Sequence, residues 1–136
     1  MSLNSENLKD KVCVVTGAAK SIGFAIAEKY AQQGAKVVLI DIDPLVMESA
    51  RTLADKGYAA KGYTLDITNR DAVLKCFDDI IATVGEIYTL VNNAGVVDTR
   101  PFEENDEAIL DRIFKVNVYG TAYCIQGALP SMKKNK

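Results

Sequence analysis

The 136-residue sequence contains no histidine and no tryptophan. Without imidazole, His-based acid–base chemistry is excluded; a zinc site is not expected, and no metal is assigned. Without indole, the protein contributes little fluorescence background to a binding experiment. Its three cysteines, Cys13, Cys76 and Cys124, are far apart and form no C-x-x-C pair. They read as reduced and mostly buried thiols. No apolar run approaches the roughly 18 residues of a membrane span. The opening segment, "MSLNSENLKDK", lacks an apolar signal core. A cytoplasmic address with no membrane partner is the resulting expectation. The net charge is −2 with both signs interspersed, which gives no basis for a nucleic-acid partner.

What is present describes one domain. Apolar residues make up 49% and charged residues 25%, and the length supports a single core. Three short β-branched runs, "KVCVVT" (11–16), "AKVVLI" (35–40) and "IYTLVN" (87–92), lack clean alternation. Strands covered on both faces read this way. A weaker fourth, "YAAKGYTLD" (58–66), falls between the second and third. Helical patterns separate them: Ile22, Ile26 and Tyr30 share a face of the first helix, and Val73, Phe77, Ile80 and Val84 share one of the third. Gly34, Gly57 and Gly85 stand where helices end, and Pro44 falls in the first turn of the second helix. The order β-α-β-α-β-α-β predicts an α/β fold with a doubly wound parallel sheet and right-handed crossovers.

Residues 102–132 read as one helical region or two abutting ones. Ile109, Ile113, Val116 and Tyr123 lie on one side, while Leu110, Phe114, Ile125 and Leu129 spread over others. A helix apolar on several faces is buried on several faces. One face covers the sheet, and the rest calls for another chain or more of this one.

The chemistry centres on "TGAAKSIG" (16–23), a small-residue turn between a strand and a helix. Such a turn offers free backbone N–H groups and the positive end of a helix dipole to a pyrophosphate. Gly17 permits the tight exit from the strand, and Gly23 allows the helix to approach closely. The spacing is G-x-x-x-G-x-G with Ser21 in the middle glycine place, so a purely structural βα turn remains an open reading. Asp41 closes the second strand in "VVLIDID", where a carboxylate reaches an adenosine ribose. It accepts from vicinal hydroxyls and repels a 2′-phosphate, which favours NAD over NADP; Lys20, beside the turn, pulls the other way. Taken alone, Asp41 is equally a solvated strand end.

"TGAAKSIG", "LDIT" (65–68), "LVNNAG" (90–95) and "VNVYG" (116–120) stand in the order and spacing of the short-chain dehydrogenase/reductase family, which the chain resembles along essentially its whole length. The resemblance implies a three-layer αβα Rossmann fold with strand order 3-2-1-4 in the part present. It implies that Gly17, Ser21, Ile22 and Gly23 line the pyrophosphate, that Asp41 binds the ribose, and that Asp66 and Ile67 flank the adenine; Lys20 and Ile42 are counted with the cofactor-binding residues. Asn93, Ala94 and Gly95 would close the site. Asn117 would be the catalytic-region asparagine that helps hold a proton-relay water. Asp66 reads alternatively as a helix N-cap, and Asn92 and Asn93 as side chains that hydrogen-bond an irregular turn. Asn117, in an apolar helix, reads as a buried amide in need of partners. Ser21 for glycine and Tyr88 for a commonly acidic residue depart from the family pattern. An S-adenosylmethionine-dependent methyltransferase also places an acid after its second strand, but "NNAG" and the Thr-Gly start of the turn argue against it.

The family also uses a serine or threonine to polarise the carbonyl and a Tyr-x-x-x-Lys pair whose ammonium lowers the phenol pKa. Four residues beyond Tyr30, Tyr58, Tyr63, Tyr88, Tyr119 and Tyr123 stand Gly34, Gly62, Ile67, Asn92, Tyr123 and Gly127. None is lysine. The expectation is therefore a single incomplete NAD(P)-binding domain over 1–136, lacking the C-terminal catalytic half. Its fourth strand would form an open edge, and its partner would be a second copy of itself or a complementary half. The substrate of the complete enzyme would be a small alcohol or carbonyl compound.

Overall fold

The computed structural model describes residues 7–135, in which four parallel strands form one sheet in the order β3-β2-β1-β4. The strands are β1 Val12–Thr16, β2 Lys36–Asp41, β3 Ala60–Thr64 and β4 Ile87–Val91. Helices α1 Ser21–Gln32, α2 Leu45–Asp55 and α3 Arg70–Thr83 form the crossovers. After β4 come a single 3-10 turn at Phe102–Glu104, α4 Glu107–Phe114, a π-helical stretch Lys115–Gly120 and α5 Thr121–Asn135. Most of the opening segment read for a signal core lies outside the described residues. Among those described, no helix is long and apolar enough to cross a membrane.

The lack of alternation in β1 and β2 follows from two covered faces. Val12 and Val14 of β1, with Val38 and Ile40 of β2, pack against Val73, Phe77 and Ile80 of α3 and Cys124 and Ala128 of α5. The intervening Cys13, Val15, Val37 and Leu39 pack against Ala27 and Ala31 of α1 and Val46, Ala50 and Leu53 of α2. This is the three-layer αβα arrangement. Full burial of Phe77, Leu39, Ile40 and Leu53 contributes about 1.5–3 kcal/mol for each side chain. All three cysteines are free and buried.

The face of α1 differs from the expected Ile22–Ile26–Tyr30 stripe. The helix buries Gly23, Ala27 and Ala31, while Ile22 is 71% exposed and Ile26 and Tyr30 only flank the cluster. Periodicity found the larger side chains, but close approach of α1 to the sheet selects the smaller ones. Pro44 is the N-cap residue of α2, one position before the expected first turn. At 58–66 the strand itself is confined to Ala60–Thr64. Asn69, rather than Asp66, caps α3: its side chain accepts from the Ala72 N–H, whereas Asp66 accepts from the Thr68 N–H and hydroxyl.

The C-terminal helices bury one face, and the burial expected on their other faces is not found among the described residues. Cys124, Gly127, Ala128 and Ser131 face inward from α5, and a Cβ on Gly127 would stand 2.8 Å from Phe77 Cγ. Phe114, Val118, Tyr119, Ile125 and Leu129 remain exposed. At the start of β4, the buried Ser131 hydroxyl accepts from the Ile87 N–H at 2.8 Å and donates to Glu86, fastening α5 to the strand.

Candidate nucleotide cleft

The C-terminal ends of β1, β2 and β4 open into a cleft of about 840 Å³. In a doubly wound sheet the chain leaves neighbouring strands in opposite directions at this place, and a crevice is left between them. Its floor is the turn after β1. Gly17 has φ +65°, and a Cβ there would lie 2.9 Å from both Ala94 Cα and Asn93 Nδ2. A Cβ on Gly23 would overlap the Gly17 carbonyl oxygen. These two positions therefore accept no side chain, and the backbone is left bare toward the cleft.

No side chain caps the start of α1, and its first turn has no acidic residue. The N–H groups and dipole of a 12-residue helix thus face the cleft uncompensated. Ser21 has φ +56°, a left-handed conformation that costs a serine about 1 kcal/mol or more. The turn keeps the geometry that glycine would adopt freely. The exposed Ile22 covers the rim.

Three sets of hydrogen bonds hold this turn. From β2, the Ile40 carbonyl accepts from the Ala18 N–H at 3.1 Å. Asp41 Oδ2 accepts from the Ala19 N–H at 3.0 Å, and Oδ1 accepts from the Asp43 N–H at 3.0 Å. From α2, the buried Ser49 hydroxyl donates to the Ala19 carbonyl at 2.5 Å. From the segment after β4, Asn93 Nδ2 donates to the Gly17 carbonyl at 3.1 Å. Beneath it, Thr16 Oγ1 accepts from the Asn93 and Ala94 N–H groups at 3.1 and 3.0 Å, joining β1 to the segment after β4.

The cleft brings together all twelve residues expected at a cofactor: Gly17, Lys20, Ser21, Ile22, Gly23, Asp41, Ile42, Asp66, Ile67, Asn93, Ala94 and Gly95. Asn117 is not among its lining residues. It is exposed rather than buried, and it still finds both partners: Oδ1 accepts from the Val96 N–H and Nδ2 donates to the Val96 carbonyl, each at 2.8 Å. The π-helical turn presents this amide to the strand exit as a two-bond clasp, and such turns recur at functional sites.

Sequence reasoning missed three contributors. Thr16 and Ser49 hold the turn from within the protein. The far wall comes from α4 and the π-helical turn, where Ala108, Asp111, Arg112, Lys115 and Val116 line the cleft. Val116 opens "VNVYG", but no quoted motif covers Ala108, Asp111, Arg112 or Lys115, which tertiary packing places there. The cysteines take no part: burial pushes the Cys13 and Cys124 thiols up to about 11 and Cys76 to about 12, leaving them protonated at neutral pH.

Residues 11–136 match the family model described as short chain dehydrogenase. The chain belongs to the short-chain dehydrogenase family. It is 37% identical over 126 residues to a sorbitol dehydrogenase of Cereibacter sphaeroides, covering 92% of this chain and 48% of that one. A diacetyl reductase (S-acetoin forming) of Staphylococcus epidermidis is 35% identical over 127 residues, covering 93% and 49%. Among solved structures, a gluconate 5-dehydrogenase from Burkholderia cenocepacia in complex with NADP and tartrate superimposes with a TM-score of 0.90 at 27% identity. The match covers 99% of this dehydrogenase-family chain and 53% of that one. The chain thus spans about half the length of the curated relatives it matches.

Proposed function

We infer that the chain is the cofactor-binding half of an NAD-dependent short-chain dehydrogenase/reductase acting on an alcohol or carbonyl compound, and that it does not turn over alone. The observation that carries this reading is the bare, uncapped start of α1 facing Asp41 across one cleft. The residues present fit a dinucleotide, because the space that a Cβ at Gly17 or Gly23 would occupy is left clear.

When bound, the nicotinamide would accept or supply the hydride. The chain's own residues would bind and orient it. The uncapped N–H groups at the start of α1, from Ser21 to Gly23, would hold the pyrophosphate, with Lys20 adding positive charge. Asp41 would accept from the adenosine ribose, since each oxygen retains a lone pair beyond its backbone bond. Ile42 would lie beside that ribose, Asp66 and Ile67 would flank the adenine, and Asn93, Ala94 and Gly95 would close the site. With its amide engaged by Val96, Asn117 would fix the strand exit beside the reacting groups. The expected cytoplasmic address belongs to the same proposal.

Titrating the chain into NADH and NADPH tests it by reduced-nicotinamide fluorescence. Saturable NADH binding at least about tenfold tighter than NADPH binding is expected, a difference of roughly 1.4 kcal/mol. Equal affinities would remove the assignment of NAD, and no binding to either would remove the cofactor role.

Association belongs to the same proposal. Among the described residues β4 pairs with β1 alone, and Phe114, Tyr119 and Ile125 stand exposed nearby in the chain. An unpaired strand edge beside apolar helices favours pairing, with a second copy or a complementary C-terminal half. Light scattering is expected to give a species larger than one chain; a monodisperse monomer would overturn this. The alternative function, a non-catalytic nucleotide-binding or interaction half-domain acting through association, draws on the same cleft and on the absence of a Tyr-x-x-x-Lys pair from the 136 residues.

A further inference from the structure

We propose that Asp41 and Ser49 form a clasp on the phosphate turn, so that Asp41 positions the pyrophosphate site as well as meeting the ribose. The inference rests on the nucleotide reading above and extends it to the regulation of one subsite by another. Ala19 lies at the middle of the turn, between Gly17 and Gly23, and both of its peptide groups are held from outside it. Its N–H donates to Asp41 Oδ2 at 3.0 Å, and its carbonyl accepts from Ser49 Oγ. Ser49 is 8% exposed and does not line the cleft; its hydroxyl lies closer to the Ala19 carbonyl, at 2.5 Å, than to the Leu45 carbonyl of its own helix, at 3.1 Å. The other Asp41 oxygen accepts from the Asp43 N–H at the entrance to α2, the helix that carries Ser49.

Turn, strand end and helix entrance are therefore one hydrogen-bonded unit, and a carboxylate at its centre is shared between them. A hydrogen bond to an ionised acceptor is stronger than a neutral one, so the carboxylate is the firmer of the two holds on Ala19. The N–H groups that would meet phosphate follow Ala19 directly in the chain. Loss of either hold frees their orientation before any ligand arrives, and preorganisation is lost. Asp41 is in this sense a positioning residue for phosphate in addition to being a ribose contact.

The two roles separate by the sign of one effect. With 2′,3′-dideoxy-ADP there are no ribose hydroxyls for Asp41 to meet. If Asp41 served the ribose alone, Asp41→Ala would leave this ligand unaffected or bind it more tightly, because a negative charge near phosphate is removed. The clasp predicts the opposite: Asp41→Ala weakens dideoxy-ADP by about fivefold or more. Ser49→Ala is expected to weaken ADP by about threefold to fivefold and to leave adenosine unchanged, which a general loss of structure would not do.

Affinities of the whole chain for ADP, dideoxy-ADP and adenosine, read by ligand-observed NMR, make the comparison. Ser49→Ala carries it alone if Asp41→Ala does not fold. Unchanged or tighter dideoxy-ADP binding in Asp41→Ala, or equal losses for ADP and adenosine in Ser49→Ala, would overturn the clasp and leave the nucleotide reading standing. Failure of the parent chain to bind ADP would overturn both.

Discussion

Replacing Gly23 with alanine is expected to destabilise the fold by about 3 kcal/mol and to abolish cofactor binding. The added methyl would overlap the Gly17 carbonyl oxygen and come within 2.7 Å of Asn93 Nδ2. The first of these is backbone and cannot rotate away, so α1 must slide outward or the turn must open. Either movement breaks the 3.1 Å bond from Asn93 Nδ2 to the Gly17 carbonyl. Helix propensity opposes the effect, since alanine is about 1 kcal/mol better than glycine in a helix interior. The clash is larger and decides the sign. Urea unfolding of the parent and of Gly23→Ala measures the balance. A variant as stable as its parent would mean that α1 can back away from the sheet freely, and the close approach would lose its importance.

Thr16→Val should cost about 2–3 kcal/mol although the two side chains have nearly the same shape. Thr16 is 1% exposed, so water cannot replace what its hydroxyl does. Oγ1 accepts from the Asn93 and Ala94 N–H groups and lies 3.4 Å from the Val91 carbonyl, to which it donates. Valine leaves the Ala94 N–H without this acceptor. The Asn93 N–H retains a second contact, 3.1 Å to the Val91 carbonyl, which limits the loss. Thr16→Ser keeps the hydroxyl and gives up one methyl, a cost nearer 1 kcal/mol. The ordering Thr over Ser over Val in thermal unfolding is the diagnostic result. Valine equal to or above serine would show that the methyl packs more than the hydroxyl bonds, and the link from β1 to 93–95 would carry little.

The two substitutions probe different parts of one arrangement. Gly23 governs how closely the helix dipole approaches the cleft. Thr16 governs where the segment 93–95 stands above it. The apposition of "TGAAKSIG" and "NNAG", whose Gly17 and Asn93 stand 76 positions apart in the chain, is made by parallel pairing of Val15 with Val91. Thr16 then secures that pairing just beyond the last ladder rung. Both effects arise at the same end of the sheet, where the cleft opens.

The sequence by itself determined the element order, the doubly covered strands and the residues of the turn. Burial on both faces leaves a composition that the chain cannot hide: Val37, Val38, Leu39 and Ile40 are all apolar because each meets a helix. Backbone demands are legible for the same reason, since few residue types tolerate φ +65° at Gly17 or a missing Cβ at Gly23. Only the tertiary structure decided what depends on distance. It selected Gly23, Ala27 and Ala31 over the larger Ile22 for the buried face of α1, because separation from the sheet, rather than hydrophobicity, limits that contact. It set Asn117 in the open with both amide groups satisfied by Val96, a pairing across 21 positions that no local pattern encodes. It also gave Thr16 and Ser49 their parts. A lone hydroxyl in a strand or a helix carries no signature of its partner, and its role is fixed only when folding brings that partner within hydrogen-bonding reach.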